Sequence, residues 1–220
     1  MKNKNVILTG FMGSGKTTAG VRLSYRMRIP VEDTDKMIER REGRSVAEIF
    51  AVEGEAAFRE KETALLRELA DRKGRTIYSV GGGTPVQIRN RALLKQLGKV
   101  VYLRVKPETV YGRLKDDNTR PLLQCEDPLE RIRELMESRK EAYEDCADLI
   151  LDTDDLNIDE IAEKIAREMD KMKLLVINGP NINFLGIREK SVYGTQDYQY
   201  LLEMIRKKAE ETGNDITEQS

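Results

Sequence analysis

The chain has 220 residues, enough for one average domain and an appendage but short for two full domains. Its 38 lysines and arginines against 39 aspartates and glutamates leave a net charge of −1, which removes the electrostatic footprint of a nucleic-acid binder. Histidine is absent, so Ser-His-Asp triads, Cys-His dyads, histidine-ligated metals and imidazole acid–base chemistry are all excluded.

Val6, Ile7 and Leu8 form a short apolar run that predicts a strand buried on both faces, followed by a glycine-rich turn and a helix from about Lys16. Further apolar runs around Val31, at Ile77 to Val80, at Val100 to Val105 and at Leu149 to Leu151 alternate with helical patterns. That alternation predicts an α/β three-layer architecture with a central parallel sheet. Gly98 is expected to close the helix carrying Ala92, Leu93 and Leu97, while Asp127, Pro128 and Glu130 spell an N-cap, a first-position proline and a capping-box acid. A helix from Asn157, with Ile158, Ile161, Ala162, Ile165 and Met169 at amphipathic spacing, closes a first unit, residues 1–171. Residues 172–220 begin anew. Leu174 to Ile177 predicts a strand, followed by a Gly/Pro/Asn turn and a helix with Leu201, Leu202, Ile205 and Ala209 on one face. Cys125 and Cys146 lack CxxC spacing and fit a reducing compartment, and no apolar run approaches the ~18 residues of a membrane span. The expectation is a cytoplasmic protein with no nucleic-acid or membrane partner.

Gly10-Phe11-Met12-Gly13-Ser14-Gly15-Lys16-Thr17 matches the P-loop pattern, placed directly after a strand and opening a helix. There, backbone amides and the helix dipole converge on phosphate, Lys16 reaches the terminal phosphates and the Thr17 hydroxyl meets magnesium. Asp33 and Asp35 follow the second strand, at the sheet end where open α/β folds place ligands. Two residues apart, they share one side while extended, and a magnesium nucleotide beside an alcohol would relieve their repulsion; Asp35 could equally be a helix N-cap. Arg59 and Glu62 can pair on a helix beginning near Glu55, and Arg139 lies on the apolar side of its helix, where it needs an anionic partner. Gly81-Gly82-Gly83 is either a flexible turn or a close approach of backbone to substrate. Between Arg113 and Pro128, Asp116 to Pro121 reads as a polar lid, from which Arg120 can add positive charge at a transferring phosphoryl group.

In this order the residues of 1–171 resemble the shikimate kinases, P-loop enzymes that phosphorylate the 3-hydroxyl of shikimate with ATP. The markers are Gly10 to Thr17, Asp33-Thr34-Asp35, Phe58-Arg59 with Glu62, Gly81 to Gly83, Arg120 to Leu123 and Arg139. The resemblance implies ATP as co-substrate, bound by Gly13, Ser14, Gly15, Lys16, Thr17 and Thr18, with Arg113 against adenine and Arg120 from the lid. It implies Mg2+ at Thr17 and Asp33, and shikimate at Asp35, Arg59, Gly81, Gly82, Gly83 and Arg139, with Phe50 and Phe58 lining the pocket. Lys16, Asp35 and Arg120 would carry the catalysis, in a kinase part expected to be monomeric.

Residues 172–220 resemble the beginning of type II 3-dehydroquinate dehydratase, through Leu175 to Asn183, Leu185-Gly186, Arg188-Glu189 and Tyr193-Gly194. That likeness implies a βα fragment of a flavodoxin-like domain, with Tyr193, Arg188 and Asn181 at the positions of its site. Lacking histidine and most of that sheet, the segment is expected to be inactive, and Met172-Lys173 looks like the start of a second reading frame. Other readings are a gluconate kinase-like enzyme, a nucleotide-binding regulatory module without turnover, and a bifunctional kinase and dehydratase.

Overall fold

The computed structural model describes residues 5–115, 125–171, 173–177 and 198–219. Two compact units divide at Ala166 and Arg167, within a helix. The first is built on β1 (Asn5–Thr9), β2 (Val31–Asp33), β3 (Ile77–Ser79), β4 (Gly98–Arg104) and β5 (Leu149–Asp152), all parallel in the order β2-β3-β1-β4-β5. β1 is buried throughout, and Ile7 stands beside Tyr78 on one side and Val100 on the other. A strand covered on both faces by helices has no polar side to present, hence the unbroken Val6-Ile7-Leu8 run.

One face carries Ile7, Tyr78, Val80 and Val100 into a core with Ile38 of α2 (Thr34–Glu42), Phe58, Leu65 and Leu66 of α3 (Val46–Ala70), and Leu94 of α4 (Ile88–Leu97). On the other face α1 (Lys16–Met27) lies close, and a Cβ built on Gly20 would stand 3.0 Å from Val31 and 3.3 Å from Leu8. Ion pairs Arg22–Asp159 and Arg26–Glu163 join α1 to α7 (Ile158–Asp170), whose buried Ile161, Ala162 and Ile165 follow the predicted amphipathic spacing. Asn157 caps this helix rather than beginning it, accepting from the amides of Asp159 and Glu160. A smaller core of Phe11, Val105, Val110, Leu114 and Ile132 packs under α5 (Pro107–Leu114) and α6 (Pro128–Cys146), and Asp127 caps α6 as its sequence predicts.

Two local readings need correction. α3 begins at Ser45 with a reciprocal capping box to Glu48 and breaks at Gly54 (φ 84°, ψ 167°), so the stretch expected to start near Glu55 is only its second half. Gly98 is not a left-handed helix cap: its backbone is extended and already opens β4. It is glycine because an added Cβ would lie 2.7 Å from the Asn5 carbonyl carbon.

The second unit contains β6 (Lys173–Ile177), α8 (Tyr198–Thr212) and β7 (Asp215–Gln219), with β6 and β7 parallel and Lys173 beside Asp215. On α8, Leu202 and Ala209 are buried while Leu201 and Ile205 are half-buried. Asp215 to Gln219 was not expected as a strand, since Ile216 is its single apolar residue and pairing with β6 supplies what its composition lacks.

Candidate active site

The P-loop leaves the carboxyl end of β1, the central strand, and turns into α1 through Gly15, which takes the left-handed conformation (φ 90°) that a side chain would oppose. No side chain caps the first turn of α1 and no acid lies in it, so its free amides and dipole favour an anion. Lys16 folds over the loop, its Nζ donating to the carbonyls of Gly10 at 2.8 Å and Phe11 at 2.9 Å. Arg113, from α5, donates to the Gly13 carbonyl at 2.9 Å.

The two acids divide their work differently from the reading in extended chain. β2 ends at Asp33 and Asp35 already sits in the first turn of α2, so the N-cap is Asp33, whose Oδ1 accepts from the amides of Asp35 and Lys36. Its Oδ2 faces the Thr17 hydroxyl at 3.4 Å. Asp35 turns inward. Its carboxyl is pushed up to about 7, by burial first and then by Glu62 and Asp33, while Lys16 and Arg59 pull the other way. Its Oδ1 is buried with no hydrogen-bond partner among the described residues. A half-protonated carboxyl beside a phosphate loop can take or hold a proton near neutral pH.

The glycine triplet is a place of close approach. A Cβ on Gly81 would stand 2.6 Å from Asp35 Oδ1 and 2.9 Å from Glu62 Oε1, and one on Gly83 would overlap the Arg59 guanidinium, 2.5 Å from its Cζ. Arg59 is held by Glu62 at 2.7 Å and by Glu55 at 2.6 Å, and Glu62 is itself almost fully buried. Its cation lies 5.9 Å from the Phe50 ring and 5.7 Å from the Phe58 ring, which meet edge to face. Phe58 belongs to the core and Phe50 is exposed, and both rings lie beside the arginine. Arg139 has no carboxylate partner among the described residues; it lies 5.7 Å from the Phe11 ring, and its charge draws the Tyr143 hydroxyl down against the effect of burial. That hydroxyl, kept protonated because burial raises it to about 12, donates to the Gly82 carbonyl at 2.7 Å.

A cavity of about 270 Å³ gathers Gly13, Lys16, Thr17, Asp33, Asp35 and Gly81 on its walls, with Thr18, Gly15 and Gly82 beside them. Ser14 does not line it: its hydroxyl is buried and its amide donates to the Phe11 carbonyl. Ser79 and Val80 line it without having been anticipated, because nothing in their types distinguishes them from strand residues. A wider hollow of about 610 Å³ at Lys36, Glu39, Arg40, Arg44 and Glu48 holds none of these groups, and Lys36 pairs with Glu39 there. Arg120 and the rest of the expected lid, with Asn181, Arg188 and Tyr193, lie outside the described residues.

Comparison with known proteins matches the chain in two stretches. A family model described as shikimate kinase matches residues 12–170, and one described as dehydroquinase class II matches residues 172–220. A shikimate kinase of Thioalkalivibrio sulfidiphilus is 42% identical over 76% of this chain and 87% of its own length. That of Caldanaerobacter subterraneus subsp. tengcongensis is 40% identical over 77% and 98%. Among solved structures, the shikimate kinase from Acinetobacter baumannii in complex with shikimate superposes with a TM-score of 0.70 at 38% identity, covering 76% of this chain and 93% of that one. The enzyme from Bacteroides thetaiotaomicron gives 0.68 at 31% identity, covering 76% and 98%. With a family model matching residues 12–170 and a relative 42% identical over 76% of its length, this chain belongs to the shikimate kinase family.

Proposed function

We propose that residues 1–171 transfer the terminal phosphoryl group of ATP to the 3-hydroxyl of shikimate, the step that yields shikimate 3-phosphate on the way to chorismate and the aromatic amino acids. One observation carries this reading: a phosphate loop, a proton-accepting carboxyl and a half-buried arginine converge on the carboxyl ends of β1, β2 and β3. The arginine answers a carboxylate and the acid answers a hydroxyl, a pair that gluconate would not meet in the same ring geometry.

The loop amides and Lys16 would hold the phosphates, Lys16 exchanging its bonds to the Gly10 and Phe11 carbonyls for phosphoryl oxygens. Arg113, beside Gly13, would flank the nucleotide. Thr17 Oγ1 and Asp33 Oδ2, 3.4 Å apart, offer one hydroxyl and one carboxylate, a donor set that suits Mg2+ because that ion completes its octahedron with phosphates and water. Once bound there it would neutralise charge on the transferring group. No cluster of three acidic, cysteine or histidine ligands occurs among the described residues, so an all-protein metal cage is not the alternative.

Arg59 and Arg139 would grip the substrate carboxylate, and Asp35 would orient the hydroxyl and receive its proton as the oxygen bonds to phosphorus and ADP leaves. Arg120 is assigned to the transferring phosphate from sequence resemblance alone. Free thiols at Cys125 and Cys146 suit a cytoplasmic, ATP-supplied setting, and no described helix is long and apolar enough to cross a membrane. We place the kinase entirely in 1–171 and give 172–220 no dehydratase activity in this chain.

A coupled ADP-release assay with shikimate, quinate and gluconate, run beside an assay of 3-dehydroquinate dehydration, tests the reading. Shikimate should be the preferred acceptor and dehydration absent. Preference for gluconate, or ATP binding without turnover on any acceptor, would overturn it.

A further inference from the structure

Behind Arg59 lies a closed ring of buried polar groups that sequence patterns did not reveal. Glu62 and Thr63 on α3, Thr84 in the short 3₁₀ turn Thr84–Val86 that follows the glycine triplet, and Asn90 on α4 are each at most 2% exposed. The Thr84 hydroxyl donates to Glu62 Oε1, the oxygen opposite the one that holds Arg59. Asn90 Nδ2 donates to the Thr84 carbonyl at 3.1 Å, and the Thr63 hydroxyl lies 2.8 Å from Asn90 Oδ1 and 2.9 Å from the Arg59 carbonyl. A carbonyl can only accept, so Thr84 fixes which way the Asn90 amide points and turns its Oδ1 toward Thr63, whose single proton is shared between that oxygen and the Arg59 carbonyl. Every side-chain member is satisfied, and the ring closes through the backbone between Glu62 and Thr63.

We propose that Thr63, Thr84 and Asn90 are positioning residues for the acid-binding half of the site, locking the pitch of α3 against the triplet so that the Arg59 guanidinium stays on the face of Gly83. Four adjacent core positions of this size could be apolar at no loss of packing, whereas a satisfied polar ring allows one register only. The consequence is confined to one substrate. The ring touches Glu62, Arg59 and the turn after Gly83, while the phosphate loop is reached by other elements. This inference rests on the assignment of Arg59 to the substrate carboxylate.

The test uses the 220-residue chain with Thr84→Val, which keeps shape and removes the hydroxyl, Thr84→Ser, which keeps the hydroxyl, and the pair Thr63→Val and Thr63→Ser. The valine variants should raise KM for shikimate about five- to tenfold, the loss expected for one ordinary hydrogen bond, with KM for ATP within about twofold; the serine variants should recover most of it. The resonance of the Arg59 Nη1 protons that Glu62 accepts, identified by its loss in Arg59→Lys, gives a reading independent of turnover. It should be sharp and slowly exchanging in the wild type and in Thr84→Ser, and broadened in Thr84→Val. An unchanged resonance in Thr84→Val overturns the positioning role even if the chain prefers another substrate. A lowered melting temperature with unmoved KM would likewise reduce the ring to a structural feature. Broadening of the resonance with no turnover on shikimate would uphold the ring and overturn the substrate.

Discussion

Gly83→Ala tests the geometry of the acid-binding half most directly. The residue sits at φ −89°, ψ −14°, a conformation alanine adopts freely, so the substitution carries no backbone penalty and acts only through its added carbon. That carbon would lie 2.5 Å from Arg59 Cζ, where carbon atoms normally stand about 3.5 Å apart, so the guanidinium must withdraw by about 1 Å. Withdrawal lengthens the 2.7 Å bond to Glu62 beyond hydrogen-bonding range. A displacement of about 1 Å in a positioning group costs on the order of a hundredfold in rate, or ~2.7 kcal/mol. Steady-state kinetics at saturating ATP should show kcat/KM for shikimate lowered by about that factor, with KM for ATP within about twofold and a cooperative melt. Gly82→Ala provides the comparison, because a carbon there meets nothing nearer than 3.4 Å and displaces no charged side chain of the protein. Gly83→Ala kinetics within about threefold of wild type would refute both the overlap and the role given to Arg59.

Asp35 is held at about 7, above the ordinary 3.8, so the folded chain binds its proton more tightly than the unfolded chain and this group's contribution to stability is lost as pH rises from about 4 through 7. Asp35→Asn should therefore melt higher than wild type at pH 8 without nucleotide, by up to ~4 kcal/mol, with the gap closing toward pH 4, while kcat falls more than ATP affinity; thermal scans at the two pH values decide it. Arg139→Lys should raise KM for shikimate about tenfold, since an ammonium cannot reproduce the planar fork; equal KM in variant and wild type would exclude Arg139 from the clamp. Cutting after Lys171 should leave shikimate phosphorylation within a few-fold of the full chain, and abolished turnover in a folded fragment would make residues 172–220 part of the kinase.

What the sequence disclosed and what it withheld follow from distance along the chain. The phosphate loop was legible because Gly10 to Thr17 are consecutive and their chemistry depends on spacing alone. The face of α3 was legible too, since Arg59 and Glu62 are one turn apart. Asp33 stands at the end of β2 as its position after an apolar run suggests, but the pair's local geometry was not legible, because where a strand yields to a helix depends on which carboxylate caps it. Gly98 was placed at a real boundary for the wrong reason, its constraint coming from Asn5, far off in sequence. Nothing in the sequence marks Tyr143, and only the fold shows its hydroxyl on Gly82, 61 residues away. Thr84 and Asn90 carry no pattern at all, for a threonine and an asparagine take meaning from their partners.

The parallel order of the first sheet also sets a timetable. β1 emerges first from the ribosome, yet its neighbours are β3 and β4, and the last of them is complete only at Arg104. At ~5–20 residues per second of synthesis, β1 waits roughly 5 to 20 s for both partners. The phosphate loop, read from sequence as the most local feature of the chain, is thereby one of the later structures to become functional, with Lys16 unable to settle until the strand before it is flanked. Nascent chains arrested with Arg104 still inside the exit tunnel should not retain a nucleotide, whereas chains arrested beyond Lys171 by a tunnel length should; nucleotide retention by the shorter chains would show that the loop forms without its sheet.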